Sequence, residues 1–285
     1  MKCFYHTDLD GKCAGAIVYM FFKLDRDYTK EIGEQREFIP INYNDDFPFD
    51  KIIPNEQVVI VDFSLQKQGE FEKLKNITDK IIWIDHHKTA IEKHKDFDCV
   101  GVRRDGVAGC ILTWQFFYPR QEVPKIVDML GAYDIWDFSK YGESLNILQA
   151  GIRLREHNPE SSEWTKWLKG EDFEDIIKDG TIALQYRKNT WAGLIKSWSF
   201  FAEFEGYKAI CCNAGSVSSQ LFDSVKEEYD LMIPFVFDGK QWTVSLYTKK
   251  DIDCSEIAKK YGGGGHKKAA GFQCKELPFK RKAWG

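Results

Sequence analysis

What this 285-residue sequence lacks closes off several classes of protein. None of its eight cysteines forms a C-x-x-C pair, and their scatter over positions 3, 13, 99, 110, 211, 212, 254 and 274 does not make a disulfide framework. A reducing compartment, the cytoplasm, is the expectation. The apolar run AIVYMFF is far shorter than the roughly 18 residues a membrane span needs, and MKCFYHTDLDG meets charge too early for a signal peptide. No membrane association is expected. There is no internal repeat, and no low-complexity tract apart from GGGG at 262–265. Nor is there an excess of basic charge: the formal net charge is -4, which argues against a protein that coats nucleic acid by charge alone. That charge is unevenly spread. Residues 249–282 carry ten Lys or Arg against four acids, a local balance of +6, which leaves -10 over the rest.

Bulk apolar residues are plentiful. A hydrophobic fraction of 43% and an aromatic fraction of 15%, with 21 Phe and 9 Trp, are those of a globular chain, and the length suits two domains. In the first half, short continuous apolar runs (KCFYH, EFIPINY, QVVIVDFS, KIIWIDHH) alternate with helix-length stretches, such as those near 12–24 and 67–76. Continuous rather than alternating apolar strands separated by helices predict an α/β domain whose mostly parallel sheet is flanked by helices. Helical pieces then dominate. A long one is expected over 173–198, followed by strands FFAEFEG, YKAICCN, LMIPFVFDG and QWTVSLYT, with helices near 219–228 and 254–261 and a hairpin at Asp238-Gly239. The division expected is 1–150 for the first α/β domain, 151–198 for a helical connector, and 199–285 for a smaller mixed α/β domain.

Three acidic motifs share one placement. His6, Asp8 and Asp10 follow the first strand, Asp62 ends the third, and Asp85, His86 and His87 end the fourth. In an open parallel sheet, ligands gather outside the carboxyl ends of the strands, so these side chains should converge. Carboxylates crowded in a partly dry crevice repel one another and lose hydration, a cost that cations remove. Carboxylates mixed with a few imidazoles, and no candidate cysteine, point to Mn²⁺ or Mg²⁺ rather than zinc. A ligand set this large suits two ions about 3.5 to 4 Å apart, the clamp used for in-line displacement at phosphorus. Each piece also has a plain structural reading. HTDLDG can be a helix-capping turn and a lone Asp62 a helix cap. Three titratable groups in a row after a core strand have few such explanations.

In order and spacing HTDLDG, VDFS, IDHH and AYDIWDF resemble the four metal motifs of the DHH phosphoesterases, and GGGGHKKAAGF (262–272) resembles the signature of their C-terminal DHHA1 domain. The compact layout, the YDIW form of the fourth motif and ICCN before the last domain are most similar to the oligoribonuclease (nanoRNase) branch. The resemblance implies that His6 and Asp8 hold one Mn²⁺ or Mg²⁺ ion, that Asp10, His86 and Asp134 hold a second, and that Asp62 bridges both. Asp85 would orient the site from behind, and His87 would face the scissile phosphate. Asp128 and Asp137, beside Asp134, read as solvated helix residues, and His94 and His157 as surface residues. The glycines at 263, 264 and 265 can point backbone N–H groups into one concavity, a phosphate nest, with His266 and Lys267 as direct contacts. Tyr247 stands where many DHHA1 domains carry arginine, which favours stacking on base or ribose over a charged clamp.

The activity implied is trimming of short oligonucleotides to 5′-mononucleotides. Alternatives are removal of the 3′-phosphate of pAp, cleavage of cyclic dinucleotides and, outside enzymes, a nucleotide-binding sensor. The partners expected are short single-stranded RNA or DNA or a dinucleotide. The sequence leaves open a monomer or a homodimer.

Overall fold

A computed structural model describes residues 1–24 and 36–282. The chain divides into two compact units, Met1–Leu184 and Gln185–Gly285.

The first unit is built on four parallel strands, β1 (Lys2–His6), β2 (Glu37–Ile41), β3 (Val58–Val61) and β4 (Ile81–Ile84), in the order β2-β1-β3-β4. Strand polarity of side chains explains why these runs are apolar throughout. Cys3, Tyr5, Val59 and Val61 belong to one core, with helix α1 (Leu9–Leu24) against that face, whereas Phe4, Val58, Ile60, Ile81 and Trp83 belong to a second core. With both faces covered, the buried middle positions of a central strand are apolar, and the polar Lys2 and His6 of β1 fall at its two ends. The short helices α2 (Glu70–Lys75) and α3 (Lys88–Lys93) follow β3 and β4. Next come α4 (Gly109–Phe117), α5 (Lys125–Asp134), α6 (Ser144–Ile152) and α7 (Ser162–Leu168). The chain leaves β1 toward β2 and returns to β3 on the other side of β1. That reversal is a topological switch point, where a crevice opens at the carboxyl ends of the strands.

Helix α8 spans Phe173–Trp198, the bounds expected from the sequence. Residues 151–184 are more than a connector, because Ile152, Trp164, Trp167, Leu168 and Ile176 are buried in the first unit's core. The boundary between units falls inside α8, after Leu184. Helices α3 and α7 have no counterpart in the expected pattern. Both are short: α3 has too few apolar residues to show a helical period, and α7 carries the i, i+3, i+4 spacing only once, at Trp164, Trp167 and Leu168.

The second unit is a six-stranded mixed sheet in the order β5-β6-β7-β8-β10-β9. Its strands are β5 (Ser199–Phe204), β6 (Tyr207–Asn213), β7 (Leu231–Phe237), β8 (Trp242–Tyr247), β9 (Gly264–His266) and β10 (Ala269–Cys274). Only β6 and β7 are parallel. Asp238 Oδ1 accepts the N–H groups of Lys240 and Gln241 in the hairpin between β7 and β8. The helix expected over 219–228 is a single 3₁₀ stretch, Ser219–Ser224, capped by Ser218 and stopped by extended Val225. Helix α9 (Cys254–Lys259) is capped by Asp253.

The glycine run is more ordered than a bare nest. The N–H groups of Gly262 and Gly263 donate to Lys259 and Ala258 and close the C-terminus of α9, with Gly262 at φ +76°. Gly264–His266 then form the edge strand β9 against β10. Two of the four glycines are thereby committed to a helix cap, and it is the edge strand that presents unpaired backbone groups.

Candidate metal centre

Each acidic motif is positioned by a local rule. Asp8 caps α1: its Oδ1 accepts the Gly11 N–H at 2.9 Å, while Oδ2 lies 2.9 Å from His6 Nδ1. The capping reading of HTDLDG is realised by one oxygen, and the other faces His6. Gly11 is required, because a Cβ there would fall 2.2 Å from the His6 carbonyl oxygen. Asp10, one residue earlier, is buried. Its two oxygens accept the N–H groups of Gly109 (2.7 Å) and Cys110 (3.0 Å), the free donors at the start of α4. The anion is thus held at the positive end of a helix.

Asp62 follows β3 with a left-handed backbone, φ +53°, a conformation that Asp tolerates better than most residues but at a cost of about 1–2 kcal/mol. It is 1% exposed, and among the described residues neither carboxylate oxygen has a hydrogen-bond partner. His6 Nδ1 stands 3.7 Å from its Oδ2 and His86 Nε2 stands 3.2 Å from its Oδ1. His86 Nε2 is also 3.4 Å from Oδ2 of Asp134, the last residue of α5. Among the described residues His86 Nε2 is buried without a hydrogen-bond partner, and buried His6 Nδ1 has only the 2.9 Å ion-pair contact with Asp8.

Four buried polar atoms therefore converge without satisfying one another, a costly arrangement in the absence of a cation. Two sets of ligand atoms each lie within 4.8 Å of one another: His6, Asp8 and Asp62, and Asp10, His86 and Asp134. These are the groupings expected from the sequence, with Asp62 touching both. The same geometry also groups Asp62 with His86 and His87, so His87 is within reach of the centre. The electrostatics agree. Burial first, then the charges of Asp8 and Asp134, push the Asp62 carboxyl up to about 8 against the pull of His6. Asp10 and Asp134 are raised for the same two reasons. Burial pulls the His6 imidazole down, yet its contacts with Asp62 and Asp8 overcome this and raise it to about 10. Excess negative charge in a buried crevice, with oxygen and nitrogen donors and no cysteine in the candidate ligand groups of the described residues, suits hard divalent cations.

Asp85 and His87 form a separate pair. Asp85 is 0% exposed, and its Oδ1 accepts the backbone N–H groups of His86 (2.8 Å) and His87 (3.3 Å) and the His87 Nδ1–H (2.8 Å). This contact raises the His87 imidazole despite burial. The Tyr43 hydroxyl lies 2.8 Å from Nε2 and 3.3 Å from Nδ1 of the same ring. Tyr43 stacks on Phe63 at 5.5 Å and lies 5.0 Å from the His6 ring, and burial followed by the surrounding carboxylates pushes its phenol far up.

Neither Tyr43 nor Gly109 was singled out from the sequence. Tyr43 follows β2 at the same edge of the sheet as the acidic motifs, a placement that could have flagged it. Gly109 contributes only a backbone N–H and the absence of a side chain, and no sequence signal marks that. Asp128 and Asp137 stay out of the cluster, but they are not merely solvated. Asp128 binds Lys140 and the Tyr141 hydroxyl, both at 2.5 Å, and Asp137 accepts from Ser139. His94 and His157 are half-buried rather than surface residues: His94 packs on Phe71 and Trp83 and bonds the Leu65 carbonyl, and His157 Nδ1 meets the Arg155 carbonyl.

In the second unit, Gly263 is tied to the α9 cap, while Gly264, Gly265 and His266 are exposed on the edge strand. Lys267 pairs with Asp251 at 2.7 Å. Tyr247 packs against the core around Ile210, Phe222 and Met232, so its ring is partly occupied by its own domain.

Residues 3–137 match the family model of the DHH family, N-terminal domain, and residues 213–283 match that of the DHHA1 domain. An uncharacterized protein, R106, of Acanthamoeba polyphaga mimivirus is 27% identical over 286 residues, covering 92% of this chain and 64% of that one. The chain thus spans less than two thirds of that relative's length. Oligoribonuclease NrnB of Bacillus subtilis is 25% identical over 291 residues, covering 93% of this chain and 71% of that protein. Among solved structures, the pGpG-specific phosphodiesterase PggH of Vibrio cholerae matches at a TM-score of 0.57 and 13% identity, over 96% of this chain and 93% of that chain. An exonuclease RecJ bound to manganese matches at 0.50 and 15%, over 96% and 85%. At these identities the likeness to the solved structures is one of fold.

Proposed function

We propose that this chain, which carries a DHH N-terminal domain and a DHHA1 domain, is a metal-dependent phosphodiesterase that hydrolyses short oligonucleotides and linear dinucleotides to 5′-mononucleotides. The observation that carries the reading is the convergence of His6, Asp62 and His86 at the sheet's switch point, with buried Asp62 and His86 ligand atoms that have no hydrogen-bond partner among the described residues. Oligonucleotides are favoured as substrate by the oligoribonuclease relative, and linear dinucleotides by the name of the Vibrio cholerae fold neighbour.

His6 and Asp8 would hold one divalent cation, Asp10, His86 and Asp134 another, and Asp62 would face both. When bound, two such ions supply positive charge to the phosphate oxygens and activate water for in-line attack. The remaining work belongs to the chain. Asp10, fixed by two backbone N–H groups of α4, keeps its carboxylate from rotating as charge at the site changes. Asp85 only accepts, so Nδ1 of His87 carries the proton and Nε2 is the reactive nitrogen. When protonated, His87 can donate from Nε2 to a phosphate or leaving oxygen, with the Asp85 contact at Nδ1 holding the ring in the same place before and after. In the DHHA1 domain, exposed His266 and the backbone of the edge strand are the groups suited to bind phosphate.

The test is turnover with Mn²⁺ on a matched panel: 5′-labelled RNA from two to twenty-four nucleotides, pGpG, pAp and cyclic dinucleotides. Preference for the shortest strands, with 5′-mononucleotide products, is the expected result. Turnover confined to pAp or to the cyclic compounds would replace this reading, and specific binding without turnover would leave a nucleotide sensor.

A further inference from the structure

Helix α5 ends on Asp134, and the way it ends is unusual. The N–H of Asp137 returns to the Ala132 carbonyl at 2.8 Å, and that of Trp136 returns to Tyr133 at 3.1 Å. This is the paired hydrogen-bond pattern of a helix C-terminus whose left-handed position is normally glycine. Here the left-handed residue is Trp136, at φ +59°. A bulky side chain in that region is an outlier, kept only when something favours it. Burial does not explain it, because Trp136 is 68% exposed. Its ring meets its neighbours by edges, with Tyr133 at 5.7 Å and 62° and Phe138 at 5.0 Å and 66°. These two rings support the indole without covering it.

Position says what the indole is for. Two residues of chain reach at most about 7 Å, so Trp136 stands within that distance, backbone to backbone, of Asp134 in the metal centre. A nucleotide whose phosphate occupies that centre carries its base one sugar away. We propose that Trp136 is a nucleobase platform, on which a base flanking the scissile phosphate stacks. The substrate assigned rests on the phosphodiesterase reading above. Indole is a large rigid surface for stacking, and every base has a face to offer, so the platform favours bearing a base over any particular sequence. The backbone strain is kept because glycine, which would relieve it, has no ring.

That strain makes a test possible. Trp136→Gly places the residue this helix end favours, so thermal unfolding should occur at the same temperature or higher. Two diesters with one leaving group separate the roles: thymidine 5′-(p-nitrophenyl phosphate), which has a base, and methyl p-nitrophenyl phosphate, which has none. In Trp136→Gly, the wild-type preference in kcat/KM for the first over the second should fall about 5- to 150-fold, and Trp136→Tyr should restore much of it. Trp136→Asn, which also tolerates the left-handed backbone, should behave as the glycine variant does. Affinity for a dinucleotide with an uncleavable methylphosphonate linkage should fall by a similar factor. An unchanged preference, whether the two rates hold or fall together, would overturn the platform. If the wild type cleaves neither diester, the phosphodiesterase reading fails, and the affinity of the methylphosphonate dinucleotide for the two proteins alone decides the platform.

Discussion

Gly109→Ala adds one methyl group to a residue outside every acidic motif, and its effect can be worked from contacts. A Cβ at 109 would lie 2.7 Å from Asp62 Cβ, 2.8 Å from Asp62 Oδ1 and 2.9 Å from Asp10 Oδ2. Ordinary contact for such an atom begins near 3.4 Å, so these neighbours must retreat by about half an ångström or more. Metal ligands hold their distances to within roughly 0.2 Å, and the two displaced carboxylates are those assigned to bridge and to complete the centre. Mn²⁺ affinity should therefore fall about 10- to 100-fold, the loss typical when a ligand's support is disturbed. The fold should survive: overpacking costs about 1–3 kcal/mol, and the stiffer unfolded chain of alanine returns about 0.4–1 kcal/mol. Gly193→Ala is the control. It lies in α8 with nothing within 4 Å of the added methyl, and it should gain up to about 1 kcal/mol of helix propensity without altering metal binding. Titration calorimetry with Mn²⁺ and thermal unfolding in EDTA measure the two effects separately. Wild-type Mn²⁺ affinity in a folded Gly109→Ala protein would refute the assignment of Asp10 and Asp62 to the centre.

Asp62→Asn should reduce Mn²⁺-supported turnover to below a few per cent and lower metal occupancy, yet the metal-free protein should melt no lower, because an unpaired buried carboxylate has gone. Retention of a substantial rate would sink the two-metal reading. His86→Ala should weaken metal binding, whereas His87→Ala should keep the ions and lose rate, and equal metal loss in both would place His87 among the ligands, a grouping the geometry permits. Tyr43→Phe removes only a hydroxyl bonded to His87, so stability should fall by about 0.5–1.5 kcal/mol and Mn²⁺ affinity should hold, while kcat drops several-fold. An unchanged kcat would mean that His87 is positioned by Asp85 alone.

Much of this centre was legible in the sequence because two physical rules act locally. A central parallel strand must be apolar on both faces, so β1, β3 and β4 announced themselves, and an acid at the end of such a strand has few reasons to be there. His6, Asp8, Asp62, Asp85, His86 and His87 were found that way. Asp134 was chosen over Asp128 and Asp137 by resemblance of the motif alone, and the structure supplies the physical distinction: both alternatives are engaged by nearby side chains of the same unit, and Asp134 meets His86. The glycine run was legible as a turn with special backbone angles, but not as a helix cap followed by an edge strand, because that depends on β10 arriving alongside.

What only the tertiary structure decided is the support around the ligands. The N–H groups of Gly109 and Cys110 hold Asp10 from about a hundred residues away, and Tyr43 reaches His87 from the end of β2. Their contributions are a backbone donor, a missing side chain and a single hydroxyl, which nearly any stretch of sequence could provide. Chemistry carried by unusual side chains is visible residue by residue. Chemistry carried by proximity exists only once the sheet's switch point has brought separate segments to one edge.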